Sequence, residues 1–364
     1  MDTVFHVEFP GLGLAFTLDR VAFSIGGFNV YWYGILIAAG LLLAMAFAFH
    51  YSADFGINSD RLVDVVFIGT VMAIICARAC YVAMAPFEYE SIWEMLDIRE
   101  GGIAIYGGII GAFVFGGLAA RWRKVPILSL FDVVGMGFFI GQGIGRWGNF
   151  MNQEAFGCNT TLPWGMYSEG TYRYLTSMQQ TLAAQGVTVD PSQPVHPTFL
   201  YESLWCLFGF LVLFLYMRHR RFHGQLFLMY LTWYGLGRYW IEGLRTDSLL
   251  IGNTSLRFSQ VVALVTVAVA IVLQVYGLQK SRGRTAPLVT LAVDDLKKQK
   301  AAGDRFTPDT LPASAGHKEF VAATAAMNRR LKELDLNAVP EEEAPSSEQE
   351  SAAEPEQPAE SKPE

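Results

Sequence analysis

The sequence predicts an all-α integral membrane protein, a bundle of seven transmembrane helices carrying a small extracytoplasmic domain. Three observations predict it. Hydrophobic residues make up 52% of the 364 residues against 17% charged, and the mean hydropathy is +0.29, a bias outside the range of soluble chains. The apolar residues gather into seven runs, each close to the roughly 20 residues that a helix needs to cross the hydrocarbon core. Basic residues are concentrated in short segments between those runs.

Taken in order, residues 1–29 show no basic leader and no small-residue cleavage site after a short apolar core, so they are predicted to remain as an extracytoplasmic N-terminal segment. The predicted spans are 30–51, 62–85, 103–120, 127–147, 198–217, 225–241 and 258–277, within a transmembrane core of 30–279. The third and fourth carry Gly107 and Gly111, then Gly137 and Gly141, at four-residue spacing. Small residues at that spacing let helices approach closely in lipid, which predicts that these two spans form the packed centre of the bundle. "RWRK" follows the third span, "RHRR" the fifth and "KSRGR" the seventh, whereas "FEYESIWEMLDIRE" after the second is acidic. The positive-inside rule then puts the N-terminus outside and the C-terminus inside, in the cytoplasm. The insertion 158–197, poor in Lys and Arg, falls outside as a small domain. The tail 280–364 is rich in Ala, Glu, Pro and Ser. Apart from one possible amphipathic helix over 320–336, it is predicted to be cytoplasmic and mostly disordered.

Several functional classes are excluded early. The formal charge of -7 reflects carboxylates gathered in the tail, so no nucleic-acid partner is suggested. Cys76, Cys80, Cys158 and Cys206 lack C-x-x-C spacing, and three lie in apolar runs, where cysteine behaves as a small hydrophobe; neither a metal site nor a disulfide framework is expected. Gly143-Ile-Gly145-Arg-Trp-Gly148 matches a dinucleotide-binding pattern, but it follows an apolar helix rather than a strand.

Ionisable residues within spans mark function by default and need partners. Arg78, Arg146, His196, Glu202, Arg238, Glu242 and Arg245 all fall near the outer ends of their spans, at one depth. Tyr234, Arg238 and Glu242 repeat at four-residue spacing with Arg245 three further on, so they share a helix face. Snorkelling at a water interface would explain any one of them. It explains the set poorly, because Arg121, Arg123, Arg218 and Arg220 at the inner ends fall in plain cytoplasmic loops. Several guanidinium groups at headgroup depth suit a phosphate, whose oxygens match the planar fork. The ligand expected is an anionic phospholipid or a phosphorylated lipid carrier.

"GRWGNFMNQEAFG" from Gly145, "GGIAIYGGIIGA" from Gly101, "HPTFLYE" from His196, "YGLGRYWIEGLR" from Tyr234 and "WYG" from Trp32 together resemble the prolipoprotein diacylglyceryl transferases over 30–278. That resemblance implies an inner-membrane enzyme, needing no cofactor, that moves the sn-1,2-diacylglyceryl group of phosphatidylglycerol to the lipobox cysteine of preprolipoproteins. By the same resemblance Arg146, Asn149 and Glu154 are the polar members of the signature, with Glu154 holding an arginine or helping to deprotonate the thiol. Tyr33, Tyr234, Arg238, Glu242 and Arg245 match other functional positions. Arg78 and His196 join the expected lipid-binding set. Many members carry a histidine where this chain has Tyr106, which is expected to hydrogen-bond the phosphate or orient a carboxylate; the base stays open among Glu154, Glu242 and His196. A transporter would call for internal repeats and midplane polar residues, and a lipid-binding scaffold would not need carboxylates beside its arginines.

Overall fold

The computed structural model describes residues 3–281 apart from 86–88, 90, 98–101, 185, 247, 249, 252–253 and 255. The predicted tail lies outside the described residues beyond 281, and so does its helix at 320–336. The chain opens with strands β1 (Val4–Phe9), β2 (Leu14–Asp19), β3 (Val21–Ile25) and β4 (Phe28–Tyr31). Helices α1 (Trp32–Tyr51), α2 (Ser59–Met84), α3 (Ile92–Leu96), α4 (Ile105–Trp122) and α5 (Ile127–Asn152) follow. After β5 (Tyr167–Ser168) come α6 (Glu169–Ala184), α7 (Thr198–Tyr216), α8 (Gln225–Glu242) and α9 (Phe258–Lys280). Six helices, α1, α2, α4, α5, α7 and α9, are long and apolar enough to cross a membrane. Helix α8 has the same scale but includes Thr232, Arg238 and Glu242.

The chain is mostly helical, but its first thirty or so residues are not. Strand β1 pairs antiparallel with β2 on one side, Val4 facing Asp19 through Phe9 facing Leu14, and with β5 on the other. The N-terminal segment and the insertion thereby fold as one unit. Phe5, Val7, Leu18, Met166, Leu175, Leu182 and Val195 share a core that reaches Phe150 and Phe199 at the helix ends. A pairing between residues about 160 apart leaves no local signal, which is why the sequence read the N-terminal segment and the small domain 158–197 as separate.

The glycine-rich spans pack differently from the expectation. Helix α4 lies against α2: a Cβ at Gly107 would come within 2.4 Å of the Cys76 carbonyl, and one at Gly111 within 2.6 Å of the Cys76 side chain. Helix α5 is the central strut, packed on α1, α7 and α8, and Gly40 of α1 meets its Gly141 backbone. A small-residue stripe accepts any helix with a matching stripe. Gly69, Ala73 and Ala77 make α2 that partner for α4.

A second correction concerns Arg220, which is fully buried rather than in a plain loop. Its Nη1 lies 3.5 Å from Asp132 Oδ2, its Nη2 donates to the Asp54 carbonyl, and its guanidinium covers the Phe55 ring. Asp132, from α5, also accepts the backbone N–H groups of Gly224 and Phe227 at 2.8 and 3.0 Å, capping α8 from outside. Arg123, another of those loop arginines, pairs with Asp64. The Arg220→Met variant leaves the Asp132 carboxylate buried without its cation, and it should lose about 3–5 kcal/mol of stability in thermal unfolding of detergent-solubilised protein. Adding Asp132→Asn should recover part of the loss.

Candidate active site

Helix α5 ends, α7 begins and α8 ends at the same end of the bundle, because consecutive helices run in alternating directions. Their polar residues meet there. Glu202, in the first turns of α7 and 5% exposed, is the hub. Its Oε2 lies 2.5 Å from Arg146 Nη2 of α5, and its Oε1 lies 3.2 Å from Arg238 Nη1 of α8 and 3.5 Å from Arg245 Nη1. Arg238 Nη2 comes within 2.6 Å of Glu242 Oε2, an ion pair in which the N–H is not aligned on the oxygen. Three guanidinium groups against two carboxylates leave this centre one net positive charge. Such a charge in a poorly solvated place attracts an anion.

A hydrogen-bonded arm leads outward from the hub. Arg146 Nη1 donates to Asn149 Oδ1 at 3.4 Å, and Asn149 Nδ2 donates to Glu154 Oε1 at 2.8 Å. Asn152 Nδ2 reaches the same oxygen at 3.5 Å, and Arg20 Nε and Nη2 both donate to Asn152 Oδ1 at 3.3 Å. The local cause is the end of α5. Gln153 takes a left-handed conformation, φ 56°, and the N–H of Glu154 bonds the Asn149 carbonyl, so the chain folds the exposed Glu154 back over the last helical turn. Tyr33 of α1 rests its ring on Gly148, where a Cβ would come within 2.7 Å. Tyr234 stacks on Tyr230 one turn from Arg238.

Register between α7 and α8 comes from two indoles. Trp205 Nε1–H donates to the Trp233 carbonyl and Trp233 Nε1–H donates to the Trp205 carbonyl, each at 2.9 Å, with the rings stacked at 4.8 Å. Gly209 and Gly237 leave room for them; a Cβ at Gly237 would fall 2.1 Å from Trp205 Nε1. Glu202 sits one turn before Trp205, so this clamp aims it at Arg238. On the α5 side, Trp147 Nε1–H donates to Ser203 Oγ, and Ser203 donates to the Gly143 carbonyl.

Three expected residues stand elsewhere. Arg78 spends its guanidinium on the carbonyls of Glu94, Met95 and Gly102, holding the segment after α2 against that helix rather than binding at the hub. His196 contacts the Tyr201 hydroxyl at 3.2 Å, and Tyr201 accepts from Trp164. Partial burial pushes its imidazole below the ordinary value, so it is neutral near pH 7 and adds no charge to the centre. Tyr106 is 77% exposed in the first turn of α4 and makes no hydrogen bond among the described residues, because α4 packs on α2 and barely touches α5. Arg146, Asn149, Glu154, Arg238, Glu242 and Arg245 are brought together as expected. Glu202 was marked in the sequence by its depth and as the last residue of "HPTFLYE" but was given no role of its own, and Arg20, ahead of the first span, carried no signal.

A buried arginine–carboxylate centre at one end of apolar helices defines a multi-pass membrane protein with a polar site at fixed depth. The sequence profile of the prolipoprotein diacylglyceryl transferases matches residues 20–276. The phosphatidylglycerol–prolipoprotein diacylglyceryl transferase of Clostridioides difficile strain 630 is 37% identical over 266 residues, covering 73% of this chain and 98% of that protein. The proteins of the same name from Clostridium novyi strain NT and Bacillus cytotoxicus are 42% and 41% identical, over 95% and 93% of their lengths and 70% and 72% of this chain. The chain therefore belongs to the prolipoprotein diacylglyceryl transferase family, and it is a transferase.

Gly237→Ala should force Trp205 out of its clamp and lower stability by about 1–3 kcal/mol through overpacking. Gly117→Ala, where a Cβ meets nothing within 4 Å, is the control that should leave the unfolding midpoint unchanged or higher.

Proposed function

We propose that the chain transfers the sn-1,2-diacylglyceryl group of phosphatidylglycerol to the thiol of the lipobox cysteine in preprolipoproteins, the first step of lipoprotein maturation. The observation that carries this reading, together with family membership, is the convergence of Arg146, Arg238 and Arg245 on Glu202 with one positive charge left over. A lipid phosphodiester completes that balance. The three guanidinium groups bind its oxygens, while Glu202 and Glu242 keep the forks oriented when no lipid is bound.

In the reaction, the substrate thiolate attacks carbon 3 of the diacylglyceryl group. The new S–C bond replaces the C–O bond to phosphate, and the electron pair leaves on glycerol phosphate. Charge grows on the phosphate as that bond breaks, so arginines fixed in advance bind the transition state more tightly than the ground state. The thiol begins with a pKa of about 8.5 and must lose its proton. Glu154, exposed and held by Asn149 and Asn152, is the carboxylate best disposed to receive it; its link to Arg146 runs through Asn149, so it is not consumed in an ion pair. Tyr33 and Tyr234 flank the centre as donors. Tyr106, on the lipid-facing side of α4, meets the lipid donor from the membrane, and His196 helps to shape the site's rim.

In this reading all seven long helices span a bacterial inner membrane, α8 included. The N-terminus and 158–197 lie outside, the C-terminus in the cytoplasm, and the site opens to the outer leaflet. The basic segments "RWRK", "RHRR" and "KSRGR", which follow the third, fifth and seventh spans in the sequence, support that orientation.

Purified protein incubated with phosphatidylglycerol and a lipobox peptide should raise the peptide's mass by one diacylglyceryl group and release glycerol phosphate; an unchanged peptide mass overturns the reading. Arg146→Lys and Arg238→Lys keep the charge but lose the bidentate fork, and each should slow transfer at least about tenfold in the same assay. Tyr106→Phe removes a donor to a charged group worth about 1.5–3 kcal/mol, and the rate should fall roughly ten- to a hundredfold at saturating lipid.

A further inference from the structure

Strands β3 and β4 form a two-stranded sheet of their own, separate from the three-stranded one. Their sequence from Val21 to Tyr31, "VAFSIGGFNVY", contains no acidic or basic residue. Phe23, Ile25, Phe28 and Tyr31 are 49%, 68%, 57% and 45% exposed, so four large apolar side chains project from eleven residues. The polar side chains satisfy each other: Ser24 Oγ–H donates to Asn29 Oδ1 at 2.6 Å. Gly26 and Gly27, with φ 57° and 84°, supply a tight hairpin turn that places Ile25 and Phe28 at the tip.

Three hydrogen bonds fix where this hairpin stands. The Trp32 N–H donates to the Arg20 carbonyl at 3.0 Å, which closes the hairpin's base directly on the first residue of α1, a span-length apolar helix. Strands of four and five residues reach no further than about 17 Å, so the tip stays close to where α1 enters the membrane. Arg20 also donates through Nε and Nη2 to Asn152, which bonds Glu154. The hairpin base is therefore wired to the rim of the site. The outer edges of a two-stranded sheet leave backbone groups unpaired, which rules out the hydrocarbon interior. The headgroup layer satisfies both demands, since water reaches the edges while the apolar side chains meet the acyl boundary.

We propose that the hairpin Val21–Tyr31 docks into the interfacial layer of the bilayer and, through Arg20, seats the site rim at the depth of lipid headgroups. The lipid-supply role rests on the transfer reading above; the docking itself does not. A lipid surface fits better than a protein partner because the hairpin offers no charge for recognition and is covalently continuous with a membrane helix.

The test uses full-length protein in vesicles of phosphatidylethanolamine and phosphatidylglycerol, with Cys76, Cys80, Cys158 and Cys206 replaced by alanine and an environment-sensitive fluorophore on Ile25→Cys. Emission should be blue-shifted and quenched several-fold more by lipids spin-labelled near the headgroup than by aqueous iodide, relative to the same label on Gln180→Cys of α6, an exposed position. Iodide quenching equal to that control overturns the proposal. So does a label that becomes protected only when lipobox peptide is added, which would make the hairpin an edge for substrate strands. This arm needs no catalysis, so it stands or falls separately from the transferase assignment. The second arm uses Ile25→Ser with Phe28→Ser in the otherwise native chain. The KM for vesicle phosphatidylglycerol should rise several-fold with kcat retained, and the difference should vanish with short-chain lipid dispersed in detergent. An unchanged KM in vesicles overturns the coupling to the site.

Discussion

One carboxylate organises the polar end of this protein. Glu202 is almost wholly buried and touches Arg146, Arg238 and Arg245, which arrive from α5, from α8 and from the turn after it. None of the four charges would be stable alone among apolar helices, since an unpaired ion there carries a large desolvation penalty. Each is tolerable because the others are present, and that mutual dependence fixes α5, α7 and α8 relative to one another. The Trp205–Trp233 clamp and the Trp147–Ser203 bond serve the same geometry with neutral groups.

Helix α5 carries this logic at both ends. Asp132 near its start binds Arg220 and caps α8, and Arg146 near its end binds Glu202. Fourteen residues of helix separate the two by about 21 Å. At one end Asp132 holds the start of α8 through the Gly224 and Phe227 N–H groups, and at the other Glu202 of α7 bridges Arg146 of α5 to Arg238 of α8, so the site rests on a helix pair tied at both ends. Between the pins, Gln142 donates to the Tyr230 hydroxyl, and aromatic contacts such as Phe139 with Tyr230 fill the interface.

The unit built on the β1–β2–β5 sheet takes its place from the same helix ends. Phe150 of α5 and Phe199 of α7 stack at 4.5 Å and enter the core of the β1–β2–β5 sheet, which puts that sheet directly above the arginine centre. Asn152 and Glu154 sit between them and link outward to Arg20. A rim made from the N-terminal segment and the insertion together follows from packing, not from order along the chain.

Sequence by itself determined the membrane class, because hydropathy is a local property that needs no fold to be read. It also marked Arg146, Glu202, Arg238, Glu242 and Arg245 as ionisable groups at one depth, where only function or pairing makes them tolerable, and the family resemblance added Asn149 and Glu154. The tertiary structure decided their bonding. It made Glu202 the hub, sent Arg78 to the carbonyls of α3 and Gly102, left Tyr106 facing outward, buried Arg220, and paired α4 with α2 rather than with α5. Glycine stripes and arginines announce that a close partner exists without naming it, since several helices offer matching surfaces and carboxylates. Strand β1 is the extreme case: its partners β2 and β5 lie on either side of four membrane helices in the chain order, and only the folded core of Phe5, Val7 and Val195 brings them together.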